Sequence, residues 1–326
     1  MTPGGSRGGR RWIVREPAAP GEAEALAAAL GVDVVAARVF AARGVGAAFF
    51  ASSRADFHDP SSILGIDKAL ARLRAAREAG EHIRLVTDYD VDGTTSCLIL
   101  HAVLDRLGGA KLSYHLPDRF TEGYGLSKRA VDTAAAEGVT LIVTADIGVR
   151  DHVTVSHAKS LGIDVIVVDH HLPAGESVPV DAVAVLCPPQ AGCPYPNKAL
   201  AACGVSFKLA SALLADDARR DDYLDSMLKL AAIGTVADVV DLANAENRAI
   251  VTLGLRALNR GPHSPGLTAL LKVASANIGA ITSESLGWRI GPRINAAGRL
   301  ADASAVVRLL RERDPNAALA QAAGLD

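Results

Sequence analysis

Asp88-Tyr89-Asp90-Val91-Asp92-Gly93 follows directly on the apolar run Ile83-Arg84-Leu85-Val86-Thr87. The run reads as a buried strand, which puts three alternating aspartates on the loop at its C-terminal end. In open α/β sheets that edge is where ligands bind. Three carboxylates so close repel one another unless a cation neutralises them, and carboxylate oxygens suit a hard divalent ion such as Mg²⁺ or Mn²⁺. An EF-hand loop also begins Asp-x-Asp-x-Asp-Gly, but it needs Glu at its twelfth position and a helix in front. Here the twelfth position is Ile99 and the flank is a strand.

Working outward, two more strands run into acids. Thr140–Ala145 leads to Asp146-Ile147-Gly148, and Asp164–Val168 leads to Asp169-His170-His171. Short β-branched runs alternating with helix-compatible stretches predict parallel strands joined by helices, with every C-terminal end on one edge. Asp90, Asp92, Asp146, Asp169, His170 and His171 can therefore converge. A further acid, Asp238, closes the apolar stretch Leu230–Ala237. Taken singly, Asp238 reads as readily as a helix cap or surface acid as it does as a site residue, and the histidine pair can be one core and one exposed imidazole. Taken together, the set reads as a two-metal site, with ions about 3.5–4 Å apart in such centres. The expected fold is α/β: a mostly parallel sheet of about five strands with helices on both faces, then a mainly helical extension from Ala199 onward. The helix after the first acidic loop is expected to start at Thr95, its free N–H groups facing a phosphate.

The strings DYDVDG, TADIG, VVDHHLP and IGTVAD resemble the four motifs of the DHH phosphoesterase superfamily. Within it the chain is most similar to the RecJ family of single-strand-specific 5′→3′ DNA exonucleases. Phe57-His58-Asp59-Pro60, Gly123-Tyr124-Gly125, Pro194-Tyr195-Pro196 and Gly291–Leu300 (GPRINAAGRL) extend the resemblance from about Trp12 to about Leu310. The resemblance implies that Asp90, Asp92, Asp146, His170 and Asp238 hold two Mn²⁺ or Mg²⁺ ions, with Asp146 bridging them. It implies that His171 faces the scissile phosphate, that Asp169 orients the histidine pair, and that Asp88 is an extra acid of this branch. Arg293 and Arg299 become candidates for holding DNA phosphates, as a rigid guanidinium fork suits them. The implied activity is hydrolysis of single-stranded DNA from the 5′ end to 5′-mononucleotides in repair and recombination. The implied partners are single-stranded DNA and other repair proteins such as a helicase or a single-strand-binding protein. Two alternatives stay open: a DHH enzyme for oligonucleotides or nucleotide phosphates, and a catalytically weak scaffold.

The sequence departs from the family in three ways. Ile147 stands where Asn is usual after the second-motif Asp, and Cys187-Pro188 stands where Asn-Pro is usual. The chain also ends soon after Arg299, whereas the family continues into further domains. The expected division is 1–60 as tail and helical lead-in, 61–262 as catalytic domain, and 263–326 as extension and start of a connector helix.

Other features bound the reading. A net charge of −2 would not by itself suggest a nucleic-acid binder. The hydrophobic content of 49% supplies an ample core, but with 4% aromatics Ala, Val and Leu must fill it. Cys97, Cys187, Cys193 and Cys203 lack C-x-x-C spacing, which argues against a zinc knuckle and suits a reducing cytoplasm, the expected location. No apolar run reaches membrane-spanning length, so no membrane partner is expected. Met1–Arg11 reads as a disordered Gly/Arg-rich tail and not a secretory signal. There is no P-loop and no G-x-S-x-G elbow, and Gly44-Val45-Gly46 lacks the third glycine of a dinucleotide fingerprint.

Overall fold

The computed structural model describes residues 19–118, 121–175, 177–297 and 304–325. The Met1–Arg11 tail and Arg299 lie outside them. The chain divides into two compact units, 1–53 and 54–326. In the first, α1 (Glu22–Leu30) and α2 (Val34–Ala41) close a small core of Leu26, Ala37 and Ala41. Among the described residues, no helix is long and apolar enough to cross a membrane.

The second unit follows a strand–helix rhythm. After α3 (Ile66–Glu78) come β1 (His82–Thr87), α4 (Val91–Leu107), β2 (Lys111–His115), α5 (Lys128–Ala136), β3 (Leu141–Ala145), α6 (His152–Ser160), β4 (Asp164–Val168) and β5 (Ala184–Leu186). Helices follow: α7 (Ala202–Leu213), α8 (Arg220–Ala237), α9 (Ala245–Arg260) and α10 (Pro265–Val273). The short α11 (Ser283–Ser285) runs through a π-helical turn, Leu286–Ile290, into α12 (Gly291–Ala297). α13 (Ser304–Arg311) and α14 (Pro315–Ala323) come last. The five strands are all parallel in the order β2-β1-β3-β4-β5.

Successive strand side chains point to opposite faces. Ile83, Leu85, Leu141, Val143, Ile166 and Val168 face one core with α3, α4 and α7. Val86, Ile142, Val165 and Val167 face the other with α5 and α6. Both faces are therefore covered, as an all-parallel sheet requires. Arg84 is a buried charge in β1; its guanidinium pairs with Glu137 at the end of α5 and donates to Ser113 Oγ at 3.0 Å.

Register places the chemistry. Thr87 pairs with Ala145, Ala145 with Val168, and Val168 with Leu186. The next residue on each strand is then Asp88, Asp146, Asp169 and Cys187, in one row along the C-terminal edge. The row is hydrogen-bonded: Asp88 N donates to Ala145 O (3.2 Å), Asp146 N to Val168 O (3.0 Å) and Asp169 N to Leu186 O (2.9 Å). From β1 the chain first adds β2 on one side and then β3 on the other. The crevice between β1 and β3 is thus the topological switch point, where doubly wound folds bind ligands.

One expectation is corrected. The helix after β1 begins at Val91, four residues before Thr95. Asp90 is its N-cap, its side chain accepting from Gly93 N at 2.9 Å. Thr95 is fully buried, and its hydroxyl donates back to Val91 O (2.9 Å) and Asp92 O (3.2 Å), so it cannot meet a phosphate. An aspartate with a free backbone amide three residues on is a strong N-cap, and it starts the helix inside the acidic string. Gly93 permits the tight entry, because a Cβ there would lie 2.3 Å from Asp88 O.

Candidate metal centre

Six carboxylates and two imidazoles meet at the switch point. Among the described residues, three groups have donor atoms all within 4.8 Å of one another: Asp146, His170 and His171; Asp92, His170 and Asp238; Asp88, Asp90 and Asp146. Asp146 belongs to two groups and His170 to two, so the donors form linked clusters. Every metal-ligand residue expected from the sequence is in one of them.

Each donor is held by its own element. Asp92, on the first turn of α4, is 1% exposed. Its two oxygens accept from the first amides of α7: Ala202 N at 2.7 Å and Cys203 N at 2.9 Å. A helix N-terminus favours negative charge, which offsets part of the burial cost. Asp146 has φ 64, a left-handed conformation that Asp tolerates better than most residues. Asp238, at the C-cap of α8, is half-buried, with Oδ2 3.7 Å from His170 Nδ1. It arrives from a helix end and not from a strand. Asp169 Oδ1 accepts from His170 N (2.7 Å), His171 N (3.1 Å) and His171 Nδ1 (2.8 Å), while Oδ2 accepts from Val149 N (2.9 Å). A carboxylate can only accept here, which fixes Nδ1 of His171 as the donor.

His170 Nε2 lies 3.1 Å from Asp146 Oδ1 and 3.9 Å from Asp92 Oδ2. It is buried and yet makes no hydrogen bond, so the short approach to Asp146 is misaligned for one. An imidazole nitrogen and carboxylate oxygens that crowd together without bonding share an aim at a third body. The charges agree. Burial, then the facing carboxylates, pushes Asp146 well above the usual range. Burial likewise raises Asp92, partly offset by His170. Burial and the charges of Asp92 and Asp90 raise Asp238 to about 7. Asp169 runs the other way, held low against its burial by hydrogen bonds and by the charge of His171, which it raises in turn. Added positive charge at this point would favour the ionised form of all three raised carboxylates.

The structure adds residues to which the sequence reading gave no role. Tyr124 OH donates to Asp146 O at 3.2 Å and sits 3.3 Å from His171 Nε2. The signal was its place between Gly123 and Gly125. The α7 amides that cradle Asp92 carry no side-chain signature. Cys187 donates its thiol to His171 O at 3.3 Å, and burial pushes that thiol up to about 12, so it stays a donor. Ile147 is buried in the core of the α5/α6 face. Arg293 is half-buried on α12 and donates to Arg289 O at 3.1 Å.

Gly234 on α8 lets three helices meet behind Asp92. A Cβ there would lie 2.4 Å from Thr95 Oγ1, 2.6 Å from Cys203 Sγ and 3.0 Å from Asp92 Oδ1. Gly234→Ala is expected to destabilise the protein by about 1–3 kcal/mol through overpacking. Thermal melts and a Mn²⁺ titration should show a lower Tm together with weaker binding, because Asp92 is displaced.

Residues 82–235 match the model of the DHH family, N-terminal domain. This stretch is similar to the DHH-family N-terminal domain. Among curated DHH relatives, it is 39% identical over 321 residues to the single-stranded-DNA-specific exonuclease RecJ of Bacillus subtilis strain 168, covering 97% of this chain and 39% of that protein. It is 44% identical over 237 residues to RecJ of Escherichia coli K12, covering 70% of this chain and 41% of that protein. The chain thus spans about two fifths of the length of these relatives. Among solved DHH structures, exonuclease RecJ bound to manganese superposes with a TM-score of 0.71 at 34% identity, over 81% of this chain and 65% of that one. RecJ from Thermus thermophilus in complex with Mn²⁺ gives 0.73 at 31%, over 95% and 44%.

Proposed function

We propose that this chain carries the catalytic core of a RecJ-like nuclease that hydrolyses single-stranded DNA from the 5′ end in repair or recombination, with Mn²⁺ or Mg²⁺. The observation that supports this most is the set of three donor clusters linked through Asp146 and His170. Their residues fit hard divalent cations: carboxylates, an imidazole nitrogen without a hydrogen bond, and acid pKa values raised in the absence of a counter-charge. Asp90, Asp92, Asp146, His170 and Asp238 would hold the cations, with Asp88 beside them. Once bound, these supply Lewis-acid charge at the phosphoryl oxygens and acidify water. His171, oriented by Asp169, which also favours its charged form, faces a phosphate oxygen. Tyr124 fixes the Asp146 backbone and flanks the His171 ring. Arg293 and Arg299 hold phosphates further along the strand. In this reading residues 61–262 perform the chemistry, 263–326 extend the strand path, and other repair proteins act alongside.

The test is a long 5′-labelled single strand against a dinucleotide, each with Mn²⁺. Labelled mononucleotide appearing first from the long strand supports the reading. Preference for the dinucleotide shifts it to an oligonucleotide phosphoesterase. In the same assay Tyr124→Phe, which keeps the ring and loses the hydroxyl, is expected to lower kcat about tenfold while leaving KM within about twofold.

A further inference from the structure

We infer that Asn247, on the first turn of α9, is a positioning residue that sets the spacing between Asp92 and Asp238. This rests on the reading that these two acids, with His170, hold a cation. Asn247 touches neither acid. Its side-chain nitrogen donates to two carbonyls, Ala199 O at 2.6 Å and Asp241 O at 3.0 Å. Ala199 lies three residues before Ala202, whose amide, with that of Cys203, holds both oxygens of Asp92. Asp241 lies three residues after Asp238, in the segment that leaves α8. One amide group thus ties the Asp92 cradle to the Asp238 turn.

The tie is stiff because Asn247 is itself clamped. Its Oδ1 accepts from Asn197 Nδ2 at 2.9 Å, and Asn197 Oδ1 accepts from Ala199 N at 3.0 Å. Asn197 also donates to Glu246 Oε2 at 3.2 Å, and Tyr195 OH donates to Glu246 Oε1 at 2.7 Å. Asn247, Glu246, Asn197 and Tyr195 are each 0–1% exposed, where an unpaired amide costs far more than at a surface. A fully paired buried network has one low-energy arrangement, and here that arrangement spans the two sides of one donor group. The other linked acids, Asp88, Asp90 and Asp146, are placed by β1, α4 and β3, so the effect is selective for the Asp238 side.

The test is calorimetric titration of the metal-free chain with Mn²⁺ alone. Asp238→Ala first identifies the binding event that depends on that group. Asn247→Leu, close in volume but unable to hydrogen-bond, is expected to weaken that event about tenfold or more, as losing a group that orients a metal ligand does. The remaining Mn²⁺ binding should stay within about twofold. Asn247→Ser, which retains one donor on a shorter arm, provides a milder second variant should the leucine form fail to fold. Val131→Ala, in the core of the opposite sheet face, is the control for general destabilisation. Unchanged Mn²⁺ affinity in a folded Asn247 variant overturns the inference alone, as does an equal loss in Val131→Ala. If Asp238→Ala leaves every binding event intact, the metal reading falls and takes the inference with it.

Discussion

Asp146→Asn is expected to abolish strand degradation while raising the melting temperature of the metal-free protein. The substitution preserves shape, and asparagine accepts the left-handed φ of 64 at this position as readily as aspartate. Its only large effect is on charge. Asp146 is 3% exposed and faces Asp92, Asp90, Asp169 and Asp88. Without metal, folding must bury an ion among like charges or take up a proton to avoid it, and asparagine removes both costs. A gain of about 0.5–2 kcal/mol is expected at pH 8, the range of single stabilising substitutions. The same change removes a donor shared by two clusters, so activity should fall by about a thousandfold or more, about 4 kcal/mol of lost transition-state stabilisation. Melting curves in a chelator and initial rates with Mn²⁺ measure the two effects. An unchanged or lower Tm would show that the carboxylates are not in electrostatic conflict.

The second large effect is a pH-dependent exchange between protons and metal. Asp238, raised to about 7, and Asp146 and Asp92, also raised, bind protons more tightly folded than unfolded. Between the ordinary carboxylate pKa and the raised one, the folded state therefore holds more protons. Stability then falls as pH rises through that window. His171 has the same sign, because its raised pKa contributes stability that is lost as pH rises through that pKa. Asp169, held low, contributes stability already present throughout pH 5–8 and adds no slope there. The metal-free Tm should thus decline from about pH 5 to pH 8. Mn²⁺ at a hundred times its dissociation constant should add about 2.7 kcal/mol wherever the site is deprotonated. The same concentration should add much less at pH 5, where protons occupy the ligands. Melts across this range, with chelator and with Mn²⁺, would show the two curves diverging upward in pH. Parallel curves would remove the acids from metal binding.

The alternation of β-branched strands and helices, and the acid ending each of three strands, already determined the class of fold and the shared edge. That outcome is a property of local pattern: period-2 burial with crossover helices leaves few ways to arrange parallel strands. Asp146, Asp169, His170 and His171 were legible for the same reason, since each follows directly on a strand end. The start of α4 was misplaced because an acidic string satisfies both a loop and an N-cap, and only the amide of Gly93 bonding to Asp90 decides between them.

What the tertiary structure alone decided is distance between segments remote in sequence. Asp238 reads as a helix cap or a surface acid in its own stretch, and only the packing of α8 against α4 and α7, through Gly234, brings it to His170. The amides that hold Asp92 belong to residues 110 and 111 positions away, and backbone donors leave no mark in side-chain identity. Order along the chain fixes which residues are available at the edge; close packing of helices fixes which of them meet, because their spacing depends on every buried contact between them and not on any local run.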